Sequence, residues 1–244
     1  MLILIFLIGV FAEFIDNSLG MAYGVTSNSF LLSLGLLPAI SSAIVHMSEI
    51  GTSAVAGISH LKFGNVDKEI FKKLVIPGPI FAALGAYVVV NAPTEIIKPL
   101  VAIYLLTMGV IILLKSKNIN IFLRRVNIPI LAAIGGFVDA IGGGGWGPVV
   151  TSTLIANGNN PRKVIGSVNA SEFVVTIIES IIFILTLNFL GVYWPVVLAL
   201  LLGGAIIAPL SAYFVKRLPI KTMLVLVGGL VIILSLRNLY YLFT

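Results

Sequence analysis

Ile8-Gly9-Val10-Phe11-Ala12-Glu13-Phe14-Ile15 returns as Ile134-Gly135-Gly136-Phe137-Val138-Asp139-Ala140-Ile141. With a three-residue gap in the second copy, the echo continues: Tyr23-Gly24 falls on Trp146-Gly147, Ser29 on Ser152, Gly35-x-x-Pro38 on Gly158-x-x-Pro161, and Ser48-Glu49 on Ser171-Glu172. Ala86-Tyr87 then meets Ala212-Tyr213, and Pro93 meets Pro219. A period of about half the chain is a duplication, not an array of short repeats. It divides the 244 residues into a first transmembrane repeat over 1–118, a basic linker over 119–126 and a second transmembrane repeat over 127–244.

Composition places this duplication in a membrane. Hydrophobic residues make up 59% of the chain and charged residues 10%, and the mean hydropathy of +1.15 lies outside what soluble globular domains show. The expectation is an all-α, polytopic membrane protein. Its clearly polar connections are roughly 61–73, 115–127 and 157–163, which leaves no room for a soluble catalytic domain. Met1 leads straight into an apolar run without a basic region or a small-residue cleavage site, so the start reads as a first membrane segment. The absence of cysteine excludes disulfides and thiolate metal sites. A net charge of +6 does not call for nucleic acid, because the basic residues sit at segment ends, where the positive-inside rule accounts for them.

Four apolar stretches, roughly 74–92, 96–114, 194–215 and 221–242, are each near the ~20 residues that span a bilayer. The opening of each half differs. Residues 2–38 and 126–161 contain no basic residue and are each too long for one span, about 50 Å as a single helix. Each is also interrupted by glycine, at Gly20-Met21-Ala22-Tyr23-Gly24 and at Gly142-Gly143-Gly144-Gly145-Trp146-Gly147-Pro148. Each reads as two short helices joined by non-helical backbone, which is tolerated at membrane depth only against protein or a water-filled cavity. Lys62, Lys68, Lys72 and Lys73 follow the Glu49 helix, whereas Arg162 and Lys163 precede the Glu172 helix and Lys216, Arg217 and Lys221 come one span later. With basic loops in the cytoplasm of a multi-pass cell-membrane protein, equivalent helices point in opposite directions and the halves are inverted repeats. Eight plain spans in a parallel repeat are the alternative.

Six of the nine acidic residues, Glu13, Asp16, Glu49, Asp139, Glu172 and Glu179, lie inside apolar segments. Carboxylates there cost roughly 2.5–3.5 kcal/mol each on insertion scales and need a partner, a proton or water. Glu49 and Glu172 are repeat-matched, and each sits on a polar helical stripe: His46, Glu49 and Ser53 in one half, Asn169, Glu172, Thr176 and Glu179 in the other. They are the expected proton carriers, with a structural hydrogen bond between helices as the plainer reading. Glu13 and Asp139 are matched too, and either share in proton coupling or brace the glycine break. His46-x-x-Glu49 has the spacing of a metal pair but lacks a third ligand, and no metal or cofactor is expected. His60 beside Lys62 reads as interfacial.

The glycine-rich break is the stronger site signal. A helix opening at Pro148 would aim its free N–H groups at the break, with Thr151, Ser152 and Thr153 in its first turns; Thr26, Ser27, Asn28 and Ser29 occupy the matching place. Such donors could hold an anion without any lysine. Close packing through small residues is the structural alternative, and no Lys-Ser/Thr follows the glycines to make a phosphate loop.

These features resemble the sulfite exporter TauE/SafE family of membrane permeases. The likeness covers nearly the whole chain and rests on the apolar start, the kink at Gly142 to Pro148 with its weaker copy at Gly20 to Gly24, the Pro-led helix after it, and the two-fold duplication. The first copy departs from the usual glycine-rich pattern by having Asp16-Asn17-Ser18-Leu19. The resemblance implies movement of small sulfur-containing or carboxylated anions, coupled to protons, with substrate near the two glycine segments and with His46 and Asn169 on the neighbouring helices. The expected substrate-binding residues are Gly20, Gly24, Ser27, Asn28, His46, Ser48, Gly143, Gly144, Gly145, Trp146, Gly147, Thr151, Ser152, Asn169 and Ser171, and the expected proton-coupling residues are Glu49, Glu172, Asp139 and Glu13. The partners would be a small anion, protons and the lipid bilayer. The acidic count alone fits a cation or metal-ion transporter instead. An intramembrane hydrolase built on His46 and Glu49 lacks a nucleophile, and a membrane scaffold would have no use for a polar midplane stripe.

Overall fold

The computed structural model describes every residue except 20, 118, 120–125, 188–189, 215–219 and 244. It is helical, without a strand among the described residues. The first half contains α1 (Leu2–Leu19), α2 (Tyr23–Ser33), α3 (Pro38–Lys62), α4 (Lys68–Leu74), α5 (Pro77–Asn91) and α6 (Thr94–Ser116). The second contains α7 (Ile128–Gly142), a π-helical turn (Trp146–Thr151) running into α8 (Ser152–Ala156), then α9 (Pro161–Thr186), α10 (Trp194–Phe214) and α11 (Ile220–Phe243). Pro38 and Pro161 open the two longest helices, where a missing N–H costs nothing. Asn160 caps α9 by accepting from the N–H groups of Arg162 at 3.0 Å and Lys163 at 3.3 Å.

Three helical stretches among the described residues are long and apolar enough to cross a membrane: Lys68–Asn91, Thr94–Ser116 and Pro161–Thr186. The molecule is apolar outside and polar within. Ile3, Ile80, Ile130, Leu185 and Ile206 are exposed, while Glu13, Asp16, Glu49, Asp139, Glu172 and Glu179 are buried. In water such a surface would be untenable, and in lipid it is the expected one. The apolar openings of the halves are broken as expected: α1 ends at Leu19 and α2 opens at Tyr23, and α7 is separated from the π turn at 143–145.

The most extensive interfaces all lie between the halves: α1 with α10, α7 with α5, α6 with α11 and α3 with α9. Exchanging the two copies maps this set onto itself. Phe6 against Gly203, Glu13 against Gly204 and Asn17 against Ala208 make α1 and α10 parallel. Gly78 against Gly136 and Gly85 against Ala140 make α5 and α7 parallel. By contrast α3 and α9 are antiparallel, since Gly57 meets Ala170, Asn65 meets Gly166 and His46 meets Glu179. So are α6 and α11, where Gly109 meets Ile232 and Leu113 meets Gly228. Glycine lines these seams because helices in lipid associate by close backbone approach. The halves are therefore interleaved, not set side by side. The linker at 120–125 and the basic pair Lys216 and Arg217 fall outside the described residues.

Candidate functional site

The two breaks meet each other at the centre. A side chain on Gly24 would collide with the backbone of Gly143 and Gly144, and one on Gly144 would collide with Gly24 and Val25, so glycine is required on both sides. Gly143 and Gly144 have φ of 63° and 145°, which L side chains rarely adopt, and Ala22 in the first break has φ of 106°. Gly20 lies outside the described residues.

Broken helices leave carbonyl and N–H groups that membrane interior must satisfy. At the end of α7 the carbonyls are taken by donors from the first half: Ser42 Oγ donates to Ala140 O at 2.6 Å, Tyr104 OH to Gly144 O at 2.8 Å, and Asn28 Nδ2 to Gly142 O. His46 Nε2 lies 3.3 Å from Asp139 O. The N–H groups beyond the break are taken by a carboxylate, since Asp139 Oδ1 accepts from Gly145 at 2.5 Å and Trp146 at 3.0 Å. In the first half Asp16 Oδ1 accepts from Tyr23 N at 3.2 Å. Each carboxylate stands seven residues before the aromatic it receives. The structural counterpart of Asp139 is thus Asp16, and the pairing of Glu13 with Asp139 read from the repeat is out of register. Glu13 instead accepts from Asn17 Nδ2 at 2.8 Å.

A small polar cavity separates the halves, lined by Glu13, Asp16, Tyr23, Glu49, Thr52, Ser53, Ala56, Asn169 and Glu172. Its free volume of about 10 Å³ is what a single water needs. Three of the four expected coupling residues, Glu13, Glu49 and Glu172, face this space, and Asn169 of the expected substrate residues joins them. The fourth, Asp139, is committed to the glycine break.

Beside the cavity lies a second cluster. His46 Nδ1 is 3.0 Å from Glu49 Oε2 and 3.0 Å from Glu179 Oε2, and the ring stacks on Phe183 with centroids 6.2 Å apart. The ring nitrogen is aligned with Glu49, so Glu179 Oε2 is in charge contact but off the hydrogen-bond line, and Glu179 Oε1 has no partner. His46, Asp139 and Glu179 place one donor atom each within 4.8 Å of one another. Both nitrogens of His46 are already engaged by protein groups, so this is a hydrogen-bonded cluster.

The remaining expected residues divide by how their polar atoms are used. Ser48 and Ser171, matched in the repeat, donate to carbonyls three residues back in their own helices, and Ser48 also meets Tyr23 OH at 2.9 Å. Asn28 is held between Gly142 and Ser41. Ser27 and Thr151 are fully buried with hydroxyls lacking a hydrogen-bond partner, as are Thr26 and Ser29. Trp146 and Gly147 are buried in the π turn, with Trp146 Nε1 donating to Val168 O at 3.3 Å. Such π turns recur at functional sites.

Sequence reading missed two residues. Lys115, at the end of α6, folds inward and donates to Ser152 Oγ at 3.0 Å, with Met21 Sδ at 3.6 Å. It sat in a basic connection, where a solvated charge is the default, and no local pattern signals its return to the break. Glu179 was placed on the Glu172 stripe but not joined to His46, because the partners lie on different halves.

Known proteins resemble this chain over nearly its whole length. The family described as Sulfite exporter TauE/SafE matches residues 5–238. The chain belongs to that family. It is also 44% identical over 249 residues to the probable membrane transporter protein YtnM of Bacillus subtilis (strain 168), a match that covers 98% of this chain and 82% of the relative. No solved structure matches the chain. It is accordingly a multi-pass membrane transporter of the TauE/SafE family.

Proposed function

We propose that the chain is a proton-coupled secondary transporter that exports a small anion, such as sulfite or an organosulfonate or carboxylate, from a site at the junction of the two halves. The observation that carries the anion is Lys115. Its ammonium has no carboxylate within ion-pair distance among the described residues and instead reaches Ser152 beside the second break, next to the unpartnered hydroxyl of Thr151. An inward-turned cation without a carboxylate partner, bonded to a hydroxyl, is an environment for negative charge. The antiparallel pairs α3 with α9 and α6 with α11 support halves that are inverted across the membrane, and the positive-inside rule then puts the basic loops in the cytoplasm. A cavity of one water's volume belongs to a closed state, so rocking of the halves must open it. The carboxyl groups around it offer places to take up and release protons during that cycle.

Reconstitution in liposomes tests this reading. Labelled sulfite should move faster when a pH gradient is imposed, and Lys115→Ala should raise KM on the order of ten-fold, the loss of about one charge-assisted contact. Flux of divalent cations in place of sulfite would overturn the anion reading. For topology, single cysteines at 65 and 190 should label from opposite sides, and labelling from one side would refute inversion.

A further inference from the structure

We propose that His46, Glu49 and Glu179 bind one exchangeable proton between them, and that this shared proton clasps α3 of the first half to α9 of the second. The donors and acceptors of the cluster require that proton. Asp139 O is a carbonyl and can only accept, so His46 Nε2, 3.3 Å away, must carry its hydrogen. That leaves Nδ1 facing Glu49 Oε2 and Glu179 Oε2, each at 3.0 Å. With no proton among these three atoms, only lone pairs would meet there. With one, either Nδ1 donates to Glu49 while Glu179 stabilises the positive ring, or a protonated carboxyl donates to Nδ1. Stacking on Phe183 holds the ring plane, and the contacts to Glu49 and Asp139 set which edge each nitrogen faces.

The surroundings concentrate this role on the cluster. His46 and Glu179 are both 0% exposed. The charged groups acting on His46 are Glu179 from α9, Asp139 from α7 and Glu49 from its own helix. Beyond Glu49 lie Glu13 and Asp16 of α1, Glu172 of α9 and Tyr23 of α2, all lining the cavity, while α5 and α10 bring no charged residue. Glu49 belongs to both places: it lines the cavity and touches His46. It is therefore the member through which the proton passes between cavity water and the clasp. Glu179 lies on the far side, with Oε1 unpartnered. Loss of the proton leaves like groups in contact across the α3–α9 seam, and its return restores the attraction. The clasp thus ties proton occupancy to the contact that any rocking of the halves must break. It deepens the proton coupling proposed above and rests on that reading for its place in transport, but not for its existence.

The chain has two histidines, so His60→Gln protein labelled with 15N-histidine gives a signal from His46 alone. At neutral pH, Nε2 should be protonated and Nδ1 should either carry a proton or show a strong hydrogen bond. Glu179→Gln or Glu49→Gln should shift Nδ1. A bare Nδ1, indifferent to both substitutions, would overturn the proposal, as would broadening of the signal by micromolar Mn2+, which would put a cation there. In liposomes Glu179→Gln should abolish the stimulation of flux by a pH gradient, and stimulation equal to the wild type would remove Glu179 from the clasp's role. The two readings fail separately. A protonated cluster in a protein that moves no sulfite leaves the clasp and removes the anion, whereas proton-driven sulfite flux with a bare Nδ1 does the reverse.

Discussion

The clasp and the cavity are the same place in the two copies, built differently. In the register that sets Glu49 on Glu172, His46 corresponds to Asn169 and Glu179 corresponds to Ala56. Where the imidazole and carboxylate stand, the space is filled and the helices are tied together. Where Asn169 and Ala56 stand, the side chains are shorter and a cavity remains. The duplication thus supplies the scaffold twice, while two side-chain differences assign contact to one side and room to the other. Symmetry in the fold has not been kept in the chemistry.

The largest effect should come from erasing this difference. Ala56→Glu adds a fifth carboxylate to a space the size of one water and should destabilise the protein by about 3–5 kcal/mol, the penalty for an uncompensated buried charge. Adding Asn169→His should recover a substantial part of that loss, since it rebuilds the clasp on the other side. Thermal unfolding in a mild detergent measures both, and a double variant no better than the single would break the comparison. Next come the braces. Asp139→Asn loses a carboxylate that serves two N–H groups and should cost about 2–3 kcal/mol, whereas Asp16→Asn, serving one, should cost about 1 kcal/mol. Equal losses would mean that Asp16 is not the counterpart of Asp139. The smallest effect belongs to the aromatic just beyond the first break. Tyr23→Phe keeps the ring and removes only its bond to Ser48, so it should cost about 0.6 kcal/mol, near the average for polar contacts between membrane helices.

Much of this was legible in the sequence because it depends on local pattern. The spans, the two interruptions and the polar faces around Glu49 and Glu172 follow from runs of apolar residues, glycine and helical spacing. What escaped depends on distance along the chain. His46-x-x-Glu49 lacked a third member because Glu179 approaches from an antiparallel helix in the other half. The register near the break was drawn to Ile-Gly-x-Phe, which pairs Glu13 with Asp139, whereas geometry counts back from the aromatic and pairs Asp16. Lys115 has a long side chain whose direction no residue type encodes.

The interleaving of the halves also has a meaning in time. Asn17 on α1 bonds to Ala208 on α10, a separation of 191 residues. At a synthesis rate of about 5–20 residues per second, α1 waits on the order of 10–40 s before the helix that covers its Gly9 seam exists. During that interval the nascent chain holds a carboxylate-bearing helix in the bilayer without its main neighbour, so the order of synthesis is part of what this fold has to survive.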